Sequence, residues 1–283
     1  MLALPALSGC FWHTQRVPRA AMPVNVLTAT PQQLVQIVNQ QYDAVNSMFT
    51  AVTFTATEGG SLKGKVKTIT PFSGYIFIRK PESLRVIGYL PVVHSTAFDM
   101  ASNGKTFKLW IPPENEAIEG TNTVSEESTN SFENMRPYMF FDSLLIPKIG
   151  RDDLLTVTGD TNTVVNPRTK KLEIEPEYLL TIESRQDSSS LLRVHRVIHF
   201  SRIDLRPSEE DIYGPNGQIR TQALYGPVEA FGTELFPGTI TLRWPLQQRQ
   251  ILITIEKLKV NQPVNDDTFE LKIPKGAKVK VLK

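Results

Sequence analysis

The side chains best able to do chemistry are scarce in this sequence: one cysteine and four histidines among 283 residues. Two of the histidines lie close together, in His195-Arg196-Val197-Ile198-His199. On a helix that spacing would stack them as a metal-binding pair. Here Leu192, Val194, Ile198 and Phe200 recur with period two, which marks a strand. Residues four apart on a strand share a face but stand ~13 Å from each other at ~3.3 Å per residue, too far to share one zinc ion. Both histidines are expected to face solvent, opposite the apolar set, and His94 reads as an isolated loop histidine. Asp152-Asp153 and Glu209-Glu210-Asp211 are expected to be solvated carboxylate clusters in turns. The sequence holds no glycine-rich phosphate loop, no Gly-x-Ser-x-Gly elbow and no Cys/His metal spacing. No catalytic residue, metal or cofactor is therefore expected, and the chain reads as a non-enzyme.

The lone cysteine, Cys10, cannot form a disulfide within the chain. A thiolate nucleophile needs a base and a rigid surround to lower its pKa, and the nearby His13 lies in a segment with no helix or strand period. A packed apolar side chain and a site of covalent attachment are the other two uses. Leu7-Ser8-Gly9-Cys10 resembles the bacterial lipobox, where small residues admit a lipoprotein signal peptidase and the cysteine then carries acyl chains. The resemblance implies that Cys10 is a lipid-attachment residue. Two or more chains, at ~0.8 kcal/mol per buried methylene, anchor a protein stably. Residues 1–10 contain no Lys or Arg and are shorter than a complete signal peptide, so they read as a residual or truncated signal. Residues 11–30, with Pro18 and Pro23, read as a flexible tether.

The rest of the composition excludes more than it identifies. Net charge is +2 and 40% of residues are hydrophobic, as in ordinary folded bodies. No run approaches the ~20 apolar residues of a spanning helix. Basic residues are mixed with acids along the chain, so nucleic acid is not an expected partner. A local excess, Lys272, Lys275, Lys278, Lys280 and Lys283, suits an edge strand that must not pair with another sheet.

Thr30-Pro31-Gln32-Gln33 has the pattern of a capping box with proline at the first helical position. Leu34, Val38, Tyr42, Val45 and Met48 follow at helical spacing, which predicts a helix over 31–48. From Val52 the period becomes two. Strands are predicted over 52–57, 74–80, 84–89, 96–101 and 106–111, with Asn103-Gly104 as the hairpin turn between the last two. Residues 113–134 are rich in Glu, Ser, Thr and Asn and read as a loop. Residues 137–146 read as a short helix apolar on almost every side, which must be covered all round or act as a plug. Further strands are predicted over 154–158, 177–184, 191–205, 238–244, 251–260 and 268–273, with 207–237 as an inserted loop. The fold class is mainly β (α+β). It is one strongly curved antiparallel sheet of about ten strands, an incomplete barrel, with an N-terminal helix and a short lid helix on its concave side.

Gly74-Tyr75-Ile76-Phe77-Ile78-Arg79-Lys80-Pro81, then Leu84-Arg85, then Ser102-Asn103-Gly104-Lys105-Thr106-Phe107-Lys108-Leu109-Trp110-Ile111-Pro112 resemble the LolA/LolB-like superfamily. Its members are periplasmic lipoprotein carriers, outer-membrane receptors and lipid-binding lipoproteins. Phe269-Glu270-Leu271-Lys272-Ile273-Pro274-Lys275-Gly276 is similar to the family's closing strand. The resemblance implies a half-barrel domain over 31–283 that takes lipid, or the acyl chains of lipoproteins, into a hydrophobic cavity. By strand parity that cavity is lined by Val52, Phe54, Ala56, Ile76, Ile78, Phe98, Met100, Phe107, Leu109 and Ile111. The lid is Met139, Phe140, Phe141 and Leu144, with Lys80 at the position where the carrier has a lid-holding arginine. The implied setting is the periplasmic side of a bacterial outer membrane, reached through the acyl anchor, with Phe11 rather than aspartate after the cysteine. The alternative is an envelope interaction module whose concave face is filled by its own helices. In that reading the loops at 113–134 or 207–237 meet a protein partner.

Overall fold

Helix α1 (Pro31–Ala44) begins as the capping pattern dictates. Thr30 Oγ1 accepts from the Gln33 amide at 3.3 Å, and Gln33 Oε1 accepts from the Thr30 amide at 2.8 Å. It ends four residues before the predicted boundary, because Val45 turns extended and Met48 pairs with Ile78 and Val260 in the sheet. Tertiary pairing overrides the helical period there. The computed structural model describes residues 15–23, 25–122, 137–166, 169–185 and 190–282, so Cys10 and the expected signal lie outside the described residues.

The first half of the sheet is a meander. Its strands are β1 (Ser47–Gly60), β2 (Lys65–Thr68), β3 (Phe72–Arg79), β4 (Ser83–Tyr89), β5 (Thr96–Ser102), β6 (Thr106–Ile111) and β7 (Glu116–Thr121). Helix α2 (Pro137–Leu144) follows. The second half comprises β8 (Leu154–Val165), β9 (Leu172–Arg185), β10 (Leu192–Ser201), β11 (Pro207–Tyr213) and β12 (Ile219–Tyr225). A hairpin of β13 (Val228–Phe231) and β14 (Glu234–Pro237) comes next, then β15 (Thr239–Trp244), β16 (Arg249–Val260) and β17 (Lys278–Val281). Fifteen strands form one sheet in the order β17-β7-β6-β5-β4-β3-β1-β16-β15-β12-β11-β10-β9-β8, with β2 branching from β1 and the hairpin separate. The two ends do not meet, so the barrel is incomplete, with β17 and β8 as its edges.

Several expectations are corrected. Residues 207–237 are not a loop but four strands, and 116–121, inside the other predicted loop, are β7. The remainder of that loop, 123–136, lies outside the described residues. The predicted strand at 268–273 is absent; Asp266–Phe269 is a 3-10 turn, and the closing strand is β17, parallel to β7. Lys278 and Lys280 sit on that edge. The expected tether is docked in part: Ala21 pairs with Leu172 and Ile174, and Leu27 donates to the Arg202 carbonyl at 2.7 Å.

The concave face carries two cores. One joins β1, β3–β7, α2, β12, β15 and β16, and includes Phe54, Ile76, Val86, Phe140, Leu242 and Ile253. The other seats Leu34 and Val38 of α1 on Leu180, Ile182, Ile198 and Phe200 of β9 and β10. No helix among the described residues is long and apolar enough to cross a membrane.

Candidate functional site

Period-two alternation decides what the concave face offers. Val52, Phe54, Ile76, Ile78, Met100, Phe107 and Leu109 are all buried there in one cluster, with Phe98 and Ile111 packed at its margin. Ala56 is half-buried and lies outside that cluster, beside β2. Two glycines make room for the aromatic part. A Cβ at Gly74 would collide with the Ile87 carbonyl and the Phe54 ring, and one at Gly88 with the Phe98 ring. Phe54, Phe72 and Phe98 can therefore lie on the strands, with ring centroids 5.3–6.2 Å apart.

Helix α2 covers this surface. Its Met139, Phe140, Phe141 and Leu144 are 2–6% exposed and belong to the same cluster. Trp244 of β15 donates its indole N–H to Met139 Sδ at 3.1 Å, and its ring lies 6.2 Å from that of Phe140. The other side of the helix is held by polar contacts. Arg220 donates to the Tyr138 hydroxyl at 3.0 Å, and Arg196 donates to Asp142 Oδ2 at 3.1 Å. Arg196 also stands 2.8 Å from Glu210, whose second oxygen accepts from the Tyr225 hydroxyl at 3.2 Å. Glu210 is fully buried. Burial drives its pKa up to about 7 against the pull of Arg196, and burial likewise raises the carboxyl of Asp142. Past its end, α2 is fastened to α1: Asn39 exchanges two hydrogen bonds with the backbone of Ile149, and Lys148 pairs with Asp43 at 2.6 Å.

Lys80 does not take the lid-holding place. Its ammonium donates to the Tyr42 carbonyl and lies 4.1 Å over the Tyr42 ring, so it anchors the end of α1. The adjacent Arg79 instead binds the Val264 carbonyl and Asp266 on the C-terminal segment. The residues that do hold α2, Arg196 and Arg220, come from the second half of the chain. Sequence reading placed Glu210 in a solvated turn and passed over Arg196. A fully buried carboxylate beside two others carries no local signal, because its partners, Arg196 and Tyr225, are 14 and 15 positions away.

Two clefts open beside α2. One, of about 290 Å³, lies between the ends of both helices and the β13–β14 hairpin, lined by Tyr42, Val45, Leu144, Leu145, Leu235 and Phe236 among others. The second, of about 480 Å³, is more polar, with Glu82, Ser102, Asn122, Asp142 and Arg220 around Tyr138 and Phe141.

The outer face of β9–β11 corrects another expectation. His195 meets the Ser184 hydroxyl. His199 is not solvated: its side chain is 17% exposed, 3.1 Å from Glu177 and 3.6 Å from Asp211. Burial opposes a charged imidazole, but the carboxylates of Asp211 and Glu177 outweigh it and push the pKa up to about 9.

No protein-family model matches the sequence, and no curated protein matches it. Solved structures do match in shape. A LolA superfamily protein from Nitrosomonas europaea superposes with TM-score 0.52 at 11% identity, over 86% of this chain and 99% of that one. A DUF1329 family protein from Desulfovibrio piger superposes with TM-score 0.54 at 12% identity, over 85% and 95%. At such identities the likeness speaks for the fold alone, and it agrees with the unclosed sheet and the helix laid in its concavity. The chain has a LolA/LolB-like fold.

Proposed function

We propose that this protein is a non-enzymatic lipid-binding protein of the bacterial envelope, sheltering an acyl chain, free or carried by a lipoprotein, on its concave face beneath α2. The observation that carries the reading is the way α2 closes the sheet. Four large apolar side chains cover an apolar face, and an apolar cleft runs in at the helix end. An acyl chain gains the same burial as those side chains, ~25 cal/mol per Å² or ~0.8 kcal/mol per methylene. It can therefore replace them without a new kind of interaction. At about 290 Å³ the cleft is at the lower edge of the ~300–1,000 Å³ that ligand pockets occupy. A long chain thus requires α2 to shift outward, and the Arg196–Asp142 and Arg220–Tyr138 contacts are what it must release. Attachment through Cys10, and an outer-membrane position facing the periplasm, complete the proposal.

The test is titration with a fluorescent fatty acid, together with native mass spectrometry of protein released from a bacterial envelope without detergent. Saturable uptake, a bound mass that fragments to an acyl chain, and tighter uptake by Asp142→Asn are the expected results. A clean apo mass with no uptake by either form would favour the second reading, a protein-interaction module. The observation on that side is that the concave face is already filled by the chain's own helix.

A further inference from the structure

The outer face of the second half-sheet holds a constellation that the concave site does not use. Among the described residues it is the one place where three His, Cys, Asp or Glu ligand atoms lie within 4.8 Å of one another: His199 on β10 with Glu209 and Asp211 on β11. Register explains the gathering. His199 pairs directly with Glu209, and Asp211 lies two residues along, on the same face.

What distinguishes this from a chance group of acids is where the remaining atoms go. His199 Nδ1 is 3.1 Å from Glu177 Oε2, and Glu177 Oε1 accepts from Asn162 at 2.6 Å. The Gln222 amide donates to both Asp211 Oδ1, at 2.8 Å, and Glu209 Oε1, at 3.0 Å. Each candidate ligand therefore has one atom held by a carboxylate or an amide and keeps a second donor atom. The second ring nitrogen, Nε2, is buried, makes no hydrogen bond and faces Asp211 Oδ2 at 3.6 Å. Metal-binding histidines are oriented in this way: one ring nitrogen gives its proton to a carboxylate and the other is presented to the ion.

Charge points in the same direction. Glu177, Glu209 and Asp211 supply three carboxylates, and the nearby guanidinium is that of Arg243, across from Gln222. With the imidazole protonated, as its raised pKa dictates, the group carries one surplus negative charge; a cation that displaces the ring proton to water meets two, which a divalent ion cancels. One imidazole nitrogen and two carboxylate oxygens suit a borderline ion such as Zn²⁺, with a further position left to water.

We infer that His199, Glu209 and Asp211 form a divalent-cation site of the zinc class on the convex face, with Glu177, Asn162 and Gln222 as its orienting residues. The ion cross-links β10 to β11 and, through Glu177, to β9. Ligands at ~2.0–2.2 Å stand roughly 3.4 Å apart in a tetrahedral shell. Closure from 4.8 Å is supplied by the torsions of the half-buried Glu209. This inference is independent of lipid binding, because the site lies on the opposite face of the sheet from α2.

The test is isothermal titration of the full chain, stripped with a chelator, against zinc chloride. One Zn²⁺ per chain is expected to bind. Affinity should fall on the order of 100-fold or more in His199→Gln and about 10- to 100-fold in Glu177→Gln, whose carboxylate only orients the ring. His94→Gln should bind as the parent does. Should His199→Gln fail to fold, nitrogen NMR of the imidazoles in the unaltered chain decides the matter, since coordination must move the Nε2 signal of His199. The inference is overturned if no stoichiometric binding occurs, if binding persists in folded His199→Gln as it would at Cys10 and His13, or if the Nε2 signal does not move.

Discussion

Two surfaces of the concavity, an apolar one and a polar one on β10–β12, hold the same helix by different physics. Toward β1, β3–β6 and Trp244 of β15, α2 presents Met139, Phe140, Phe141 and Leu144 to aliphatic and aromatic side chains. Against β10–β12 it presents Asp142 and Tyr138 to Arg196 and Arg220. Apolar burial is non-directional and scales with area, so the first surface accepts another apolar body in the same place. Charge-assisted hydrogen bonds are directional, so the second fixes where and how the helix sits. A helix that is greased on one side and latched on the other can leave and return to one position. Under the lipid-binding function proposed above, the apolar surface is the one exchanged and the polar one is kept.

The strongest way to break this contrast is Arg196→Ala. It leaves Glu210 buried without its counter-ion, and a loss of about 3–5 kcal/mol is expected in urea unfolding. A loss below about 1 kcal/mol would mean that the latch contributes little and that the apolar side alone positions α2. The apolar half is probed by Gly88→Ala, whose methyl must displace the Phe98 ring and the Phe72 ring against it. Overpacking of that kind is expected to cost about 1–3 kcal/mol, read as a lower midpoint in the same experiment.

A pH titration of stability sharpens the contrast further, because only the polar half should respond. Glu210 rises from an ordinary value of 4.5 to about 7 in the fold, so the folded state keeps its proton longer than the unfolded state does. Stability from this group is present below pH 4.5 and is lost as pH rises through 7. Glu210→Gln should flatten the curve in that window. His199, raised from 6.5 to about 9, has the same sign in a later window. Its contribution is present below pH 6.5 and lost as pH climbs through 9. The smallest effect is expected at Lys80→Ala, about 0.5–1 kcal/mol in the same unfolding experiment, from its contact over Tyr42.

How much of this was readable beforehand follows from the range of each interaction. The capping box at Thr30 and the alternating residues of β1, β3 and β4 act over a few positions, and the sequence shows them directly. The all-round apolar character of 137–144 required a covered helix, and α2 is covered. Strands β11 and β12 were misread because the inward-facing Glu210 and Thr221 interrupt the alternation that identifies a strand. A buried carboxylate looks like a surface one until its arginine is known. The end of α1 was set too late for a related reason, since Met48 continues the helical stripe but pairs better in the sheet.

The sequence by itself determined an antiparallel, one-face-apolar sheet with two helices to cover it, because periods of 2 and 3.6 and the capping signals are local properties of the chain. Only the tertiary structure decided which residues latch α2 and which three ligands converge beside Glu177. Asp142, Arg196 and Glu210, like His199, Glu209 and Asp211, become neighbours through strand register and helix docking. Register is set by the summed burial of the whole sheet, and no short stretch of sequence contains that sum.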